Sequence, residues 1–339
     1  MTRQRPFSRI SEPQLNAPTP PVPGLTPVPR DCRARLAEPA TPTARLRHLA
    51  EGRVPALRQI GLHPFPTPQA PPARALRVGA WNVQQCHFGP DSAALLRGAA
   101  LDVTLLTELD IGMGRTGQRD TVAELAAAQG HGAIYAPEFL ELRNAPENDL
   151  GWHCNAITAR TPPREVVLIR LPDMADWFIA PRRGQRRLGG RMALAARFGQ
   201  GADALVVCAV HLESDTDGAG RAAQLAYLLD RLDRFAAGDP VLIGGDLNAG
   251  AGDGARDTLT DPLFSEALRQ GYHWNTLNAP GPTSRISRVT NARQQNTARY
   301  DWFLGRGVQG TAPATLAATD TGGQAISDHD LIAVTVQPA

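Results

Sequence analysis

From Leu76 onward the sequence is a series of short apolar runs, each stopping at a polar residue, with helix-length stripes between them. LRVGAWN (76–82), LDVTLLTE (101–108), DALVVCAVH (203–211), PVLIGGDLN (240–248), ARYDWFLG (298–305) and LIAVTV (331–336) predict buried strands. DSAALLRGAA (91–100), RDTVAELAAAQ (119–129) and AGRAAQLAYLLDRLDRFAA (219–237) predict helices. In the last of these, Leu225, Leu228, Leu229, Leu232 and Phe235 recur on one face. Strands alternating with helices mean an α/β sandwich. Two apolar runs within 191–210 flank the glycines at 199 and 201, which is a hairpin signal. Antiparallel pairs are therefore mixed in, and a purely parallel, doubly wound sheet fits less well. No internal repeat of fixed period occurs.

Upstream of this pattern the composition changes. The first 76 residues hold 16 of the 29 prolines, with 11 arginines against 4 acids; the remainder holds 24 arginines against 29 acids. Proline removes backbone donors and blocks regular ladders. Residues 1–30 thus read as an extended or disordered tail, and 31–62 as one or two short helices. A Pro/Arg-rich extension over 1–75 is expected to precede a catalytic domain over 76–339, and a solvated tail is favoured over one that binds an anionic partner. Deleting residues 1–60 is expected to leave turnover of a small diester intact. Hydrophobic residues make up 42% of 339, enough for a globular core in one large domain or two smaller ones. No stretch approaches 18 apolar residues, so no membrane span is expected, and the first residues lack a signal-peptide core. Four widely spaced cysteines without CxxC suggest neither a disulfide framework nor a zinc cluster. A cytoplasmic, reducing location and a monomer are the expectations. The lysine-free, Ala- and Pro-rich composition points to a GC-rich bacterial genome.

The residues at the strand exits share one chemical type. Asn82, Glu108, His211, Asp246, Asn248, Asp301, Asp328 and His329 offer carboxylates, amide oxygens and imidazoles. Hard oxygen ligands suit Mg²⁺, Mn²⁺ or Ca²⁺ and not a thiolate-bound metal. Ligands of α/β sheets gather outside the strand ends, so these groups could converge on one metal-bound site. Singly, an Asp after a strand is more often a cap or turn residue, and a lone His is more often structural. The inference rests on the set.

The set, in its order, resembles the endonuclease/exonuclease/phosphatase superfamily. The matching blocks are WNV (81–83), LLTELD (105–110), GWHCNAITAR (151–160), AVHLES (209–214), GGDLNA (244–249), YDWFLG (300–305) and SDHDLIAV (327–334). GGDLNA and SDH are the most specific. The resemblance runs from about Leu76 to Val336. It implies a four-layer α-β-β-α sandwich of two mixed sheets packed face to face, with helices outside. It also implies phosphoester hydrolysis with a divalent metal, usually Mg²⁺ with Mn²⁺ as a substitute, by in-line attack of water on a phosphodiester. Glu108 would be the main metal ligand, helped by Asn82 and Asp328. Asp246 would orient or deprotonate the water, and Asn248 would hold a phosphate oxygen or the nucleophile. His329 would donate to the phosphate with Asp301 fixing its tautomer, and His211 would be a second donor. Which of Asp246 and His329 is the base stays open. Such groups offset the charge that builds on the nonbridging and leaving oxygens. Many members carry a carboxylate two residues after the first Asn; Gln84 stands there, which favours one metal over two. Asn155 is expected to make a supporting substrate contact, with a strand-end turn as its alternative.

PRRGQRRLGGR (181–191) contributes Arg182, Arg183, Arg186, Arg187 and Arg191. Arg191 matches a position where the superfamily often has an arginine and is expected to touch phosphate. The other four read as a solvated loop ahead of a nucleic-acid patch, since the body's acidic balance is unlike a DNA-tracking surface. Trp177 could stack a base or belong to the core. Arg115 could reach substrate or serve its loop. The substrate is expected to be a phosphoester, with nucleic acid first and a sphingomyelinase-type or small-molecule phosphoester second.

Other classes make different demands. GMGRTG (112–117) is a literal GxGxxG after a strand, with Glu138 about twenty residues on. A dinucleotide there would meet Glu108 and Asp110 beside its pyrophosphate and leave GGDLNA and SDH unexplained. Ser327, Asp328 and His329 are adjacent, yet chain neighbours cannot form a serine-hydrolase relay and no GxSxG exists. A catalytically silent binding module of the same fold would be expected to have lost some of the site residues, whereas the metal ligand, both histidines and the GDLN block are all retained.

Overall fold

The computed structural model describes residues 19–38, 41, 43, 52–67, 75–142, 147–180, 184, 186–250, 257–290 and 298–339. In chain order the elements are α1 (Arg30–Leu36), β1 (Gly61–His63), β2 (Leu76–Asn82), α2 (Gly89–Ala99), β3 (Val103–Ile111), α3 (Thr121–Gln129), β4 (Gly132–Glu141) and β5 (Trp152–Ala159). They continue with β6 (Glu165–Arg170), β7 (Arg187–Gly189), β8 (Met192–Phe198), β9 (Leu205–His211), α4 (Gly218–Ala236), β10 (Val241–Asp246), α5 (Pro262–Arg269), β11 (Asp301–Arg306), β12 (Val308–Leu316) and β13 (Leu331–Pro338). All six predicted strands and all three predicted helices form within a few residues of their expected bounds.

The strands make two mixed sheets. The larger runs β1-β4-β5-β3-β2-β13-β12, with β7 also paired to β4; the smaller runs β11-β10-β9-β8-β6. The 191–210 hairpin is real, with Phe198 opposite Leu205 in an antiparallel β8/β9 pair. Each sheet holds one parallel pair, β2/β3 in the larger and β9/β10 in the smaller.

Strand periodicity of two sorts the apolar residues into layers. Val78, Ala80, Val103, Leu105, Val207, Ala209, Leu242, Phe303 and Ile332 fill the space between the sheets. Their neighbours Trp81 and Leu106 face the other way, toward Leu96 of α2 and Val122 and Leu125 of α3. On the far side, Val206, Cys208, Val210, Val241 and Ile243 meet Leu225, Leu228, Leu229 and Leu232 of α4 and Phe264 of α5. The result is the four-layer α-β-β-α sandwich. Covering both faces of each sheet explains why the strands read as continuous apolar runs. The same parity aims Asn82, His211, Asp246 and Asp301 into the intersheet layer, at the end where the parallel strands exit.

The described part of the N-terminal extension is built into this body. The Thr19 amide donates to Val166 O of β6, the edge of the smaller sheet, at 2.8 Å. Val22 bridges to Gly61, and β1 pairs antiparallel with β4 at the edge of the larger sheet. Arg33 of α1 is fully buried and donates to Val28 O at 2.6 Å, Asp149 O at 3.1 Å and Leu150 O at 3.3 Å, and also to Asn148 O. It clamps the connection before β5. Residues 1–18 of the expected tail lie outside the described residues. The described cysteines are free, and Cys86, Cys154 and Cys208 are buried. Among the described residues no helix is long and apolar enough to cross a membrane.

Candidate active site

The parallel pairs bring their exits together. Asp246, the last residue of β10, lies opposite His211 of β9 on one side and Asp301 of β11 on the other. His329 arrives just before β13. Its Nδ1 is 2.8 Å from Asp301 Oδ2, and its Nε2 is 3.5 Å from Asp246 Oδ2. Trp81 Nε1 donates to His329 O at 2.8 Å and pins the backbone. His211 Nε2 lies 3.5 Å from the same Asp246 oxygen. Asn82, ending β2 of the opposite sheet, donates from Nδ2 to Asp246 Oδ2 at 3.1 Å. Asp246 Oδ1 accepts from the Asn248 amide at 2.9 Å, while Asn248 Nδ2 donates to Leu212 O at 3.1 Å. One carboxylate, Asp246, thus holds two imidazoles and an amide across the intersheet gap.

Glu108 reaches this cluster through a break in strand periodicity. The β3/β5 register shifts between Leu106 and Leu109, and Glu108 sits in the left-handed region at φ 59°. Leu106 and Leu109 both face the helices despite the odd spacing. A regular strand would put Glu108 on the helix side with Leu106; the bulge re-aims it. Its Oε1 lies 4.0 Å from His211 Nδ1, and Gln85 Nε2 donates to its Oε2. Five of the nine described non-glycine residues with positive φ are at this site: Gln84, Gln85, Cys86, Glu108 and Asn248. Concentrated strain of this kind is a mark of functional sites that does not depend on side-chain chemistry.

The charges are strongly coupled. Burial pushes the Asp246 carboxyl up to about 7, with His329 opposing the rise and Asp301 adding to it. Burial lowers the affinity of His329 for a proton, yet Asp301 and Asp246 together hold it well above the usual imidazole range. Burial and the nearby Arg191 drive His211 well below that range, so it is neutral. Burial raises Glu108, but His153, Arg191 and His329 outweigh it and leave the carboxyl below its ordinary value. Asp328 is half-buried; burial lifts it to about 6, and the charge of Glu108 contributes to the rise. One oxygen or nitrogen each from Asp246, Asp301 and His329 lie within 4.8 Å of one another, and the positive charge in this trio is that of the protonated imidazole.

A buried shell that sequence reasoning missed stands behind Glu108 and His211. Glu138 of β4 is fully buried; its Oε2 is 3.2 Å from Arg191 Nη1 and 3.9 Å from His211 Nδ1. Arg191 Nε faces Glu213 Oε2 at 3.6 Å, and Trp177 Nε1 donates to Glu213 Oε2 at 2.9 Å. The guanidinium of Arg187 lies 5.3 Å from the ring centroids of both Phe139 and Trp177, and that of Arg191 lies 5.7 Å from Phe139. Arg187, whose Nε lies 3.0 Å from Glu141 Oε2, is thus a stacked ion-pair residue rather than a member of a solvated loop, and Arg191, expected at phosphate, is paired with Glu138 and Glu213. Arg186 Nη1 donates to Ala37 O at 2.9 Å; Arg182 and Arg183 lie outside the described residues. Asn155 is mid-strand in β5 and fully buried, not a strand-end turn; its Oδ1 has no hydrogen-bond partner and its Nδ2 points to Met192 Sδ at 3.9 Å. The one sequence signal for this shell was an acid inside the apolar run AIYAPEFL (133–140).

The remaining motifs resolve into structure. Gln84 Nε2 donates to Ser287 Oγ at 2.5 Å, so it is Gln85 that faces Glu108. GMGRTG forms a closed loop: Ile111 bridges to Asp120, and Arg115 grips Asp110 with two hydrogen bonds of 2.6 and 2.7 Å. Asp110 also meets His153 Nδ1 at 3.1 Å. The loop holds an internal ion pair where a pyrophosphate would need free amides. Ser327 Oγ donates to Asn82 O at 2.7 Å and accepts from the His329 amide at 3.1 Å, a structural role.

Comparison with known proteins yields fold and no closer kinship. No family model matches the chain, and no curated protein does. Solved structures do. An endonuclease/exonuclease/phosphatase from Beutenbergia cavernae DSM 12333 superposes with a TM-score of 0.58 at 23% identity, covering 79% of this chain and 72% of that one. The human Nocturnin catalytic domain, solved with a bound sulfate anion, gives 0.55 at 16% identity over 78% of this chain and 94% of its own. TDP2 of D. rerio, complexed with a single-strand DNA product, gives 0.53 at 18% identity over 78% of this chain and 100% of its own.

Proposed function

From the endonuclease/exonuclease/phosphatase fold as premise, we propose that this chain is a divalent-metal-dependent phosphoester hydrolase that cleaves a phosphodiester by in-line attack of water. The observation that carries this reading is His329 held between two buried carboxylates, 2.8 Å from Asp301 and 3.5 Å from Asp246, where the two sheets open.

Asp301 fixes the ring by accepting from Nδ1, which leaves Nε2 to face the substrate. The flanking carboxylates keep His329 protonated, so it serves as a donor to a phosphoryl oxygen and offsets the charge of the transition state. Asp246, poised at about 7, accepts the proton of the attacking water. Neutral His211 adds a second hydrogen-bonding nitrogen beside Asp246, and Asn248 orients a phosphoryl oxygen or the nucleophile. Arg191 lies behind this layer on Glu138 and Glu213, and its charge and the dipole of the buried Asn155 amide act on the bound phosphate from there.

Glu108, with Asn82 and Asp328, fits a hard cation such as Mg²⁺ or Mn²⁺. Asp328 is raised partly by the charge of Glu108, a like-charge crowding that a divalent cation relieves. When bound, the ion supplies Lewis-acid neutralisation of a phosphoryl oxygen. Nucleic acid is the first substrate class under this reading; a TDP2 structure of this fold holds a DNA product. The test is turnover of bis-p-nitrophenyl phosphate, an abasic duplex, a short oligonucleotide and sphingomyelin, each with Mg²⁺ or with chelator. Hydrolysis of at least one diester that chelation stops is the expected result; no metal-dependent hydrolysis of any of them overturns the reading.

A further inference from the structure

A cleft of ≈ 430 Å³ opens beside the reactive cluster, lined among others by Ser214, Arg221, Asn248, Thr260, Asp261 and Tyr300. Two of these residues are shared walls. Asn248 gives its amide to Asp246 Oδ1, and the Tyr300 ring lies 6.2 Å from that of His329, tilted by 45°. Whatever fills the cleft is therefore continuous with whatever sits on His329.

The chemistry of the lining favours an anion. Among the described lining residues Arg221 is the one arginine. Its Nη1 donates to Thr216 O at 2.7 Å, which fixes the guanidinium at the wall of the cleft. The first turns of α4 and α5 both abut the cleft at Gly218 and Pro262, and a Cβ on Gly218 would stand only 3.2 Å from Pro262 Cδ. Two helix starts thus converge there, and the Asp217 carboxylate caps that of α4 by accepting from the Gly220 amide at 2.8 Å. The opposing charge in the lining, Asp261, already accepts from the Leu263 amide at 2.9 Å as the cap of α5. Half-buried Tyr300 adds a flat apolar wall between the cleft and His329.

We infer that this cleft binds a second phosphoryl group of the substrate, one removed from the phosphate under attack, with Arg221 as its cationic contact and Tyr300 packing against the group that links the two phosphates. The inference rests on the phosphoester-hydrolase reading and narrows it to substrates with at least two phosphoryl groups. A nucleic-acid strand supplies these with a base for Tyr300 to stack on; a sugar bisphosphate supplies them without one.

Binding of TpT, 5′-phosphorylated TpT, 3′-phosphorylated TpT and glucose 1,6-bisphosphate to the full chain in chelator, by calorimetry, tests this apart from turnover. One terminal phosphate should tighten dinucleotide binding by about tenfold, on one end only. Arg221→Ala should erase that gain, and Arg221→Gln, which keeps the three side-chain carbons and a donor without the charge, should erase most of it even if the alanine variant folds poorly. Tyr300→Ala should weaken both dinucleotide forms, and a weaker effect on the sugar bisphosphate would identify the strand as the source. Equal affinity for TpT and both phosphorylated forms, or a phosphate gain that survives Arg221→Gln, overturns the inference. Metal-dependent hydrolysis of bis-p-nitrophenyl phosphate alongside that result would leave the hydrolase reading in place.

Discussion

At the scale of single residues, Asp301 and Asp246 divide one task between them: the first orients His329, the second shares its proton. Asp301→Asn keeps a hydrogen-bond acceptor but removes the charge that holds the ring cationic. Turnover of a reactive diester should fall by about 10²-fold or more with the melting temperature little changed, and the loss should grow as pH rises. Asp246→Ala and His329→Ala should each cost roughly 10²–10⁴-fold in kcat while circular dichroism stays native. Full activity in both variants would remove the site assignment. Much of this cluster was legible in the sequence, because GGDLNA and SDH put their acids and imidazole directly at strand ends. Glu108 was legible only by resemblance. Its place depends on a bulge that alternation cannot foresee, since a strict period of two turns that side chain toward the helices. Glu138 and Glu213 were missed for a different reason. A carboxylate inside an apolar strand becomes intelligible only once its arginine, 53 residues away in the case of Glu138 and Arg191, is seen beside it. Glu138→Ala strands that buried guanidinium with its weaker partner, and chemical denaturation should read a loss of about 3–5 kcal/mol.

Elements carry the next level. Strands and helices were readable because each strand is covered on both faces and α4 shows an uninterrupted apolar stripe. What local pattern could not supply was the pairing. β4, β5, β6 and β12 gave no separate strand signal, and the three-residue β1 and β7 join the larger sheet only through β4. The extension is the clearest case. Proline content argued for a tail dispensable to the enzyme, yet its described residues bond to an edge strand of each sheet, and Arg33 is fully buried beneath the turn at 148–150. Arg33→Ala removes several charge-assisted bonds to carbonyl oxygens and leaves a void, so a destabilisation of about 2–4 kcal/mol is expected by denaturant titration. Removal of residues 1–60 should lower the melting temperature well beyond that point mutant. An unchanged melting temperature would return the segment to the role of a passive tail.

For the whole molecule, the concentration of titrating groups at one opening ties stability to pH. Asp246 and Asp328 ionise at about 7 and about 6 in the fold, above their ordinary carboxyl values, and His329 is raised as well. While His211, His131 and His87, lowered by burial, hold fewer protons in the fold, the raised groups therefore hold more there than in the unfolded chain between about pH 4 and 7. Stability from these groups is present on the acid side and is lost as pH rises through their folded values. In chelator, Asp246→Asn should gain in melting temperature relative to the unaltered chain as pH rises from 5 to 8, because it lacks the carboxylate that the fold is reluctant to ionise. Added Mg²⁺ should recover the loss at pH 8 more than at pH 5, because a cation competes with protons for the same oxygens. A difference between Asp246→Asn and the unaltered chain that does not change with pH would contradict the crowding on which the metal fit relies.

The run of left-handed residues from Gln84 to Cys86 deserves one last consequence. Three consecutive side chains occupy a backbone region that each would leave if free to do so, at a cost of order 1 kcal/mol apiece. Gln85→Gly lifts part of that burden and at the same time takes away the amide facing Glu108. Selection for heat resistance alone should favour such replacements, so under the proposed activity the turn where β2 ends is a place where robustness and turnover pull against each other.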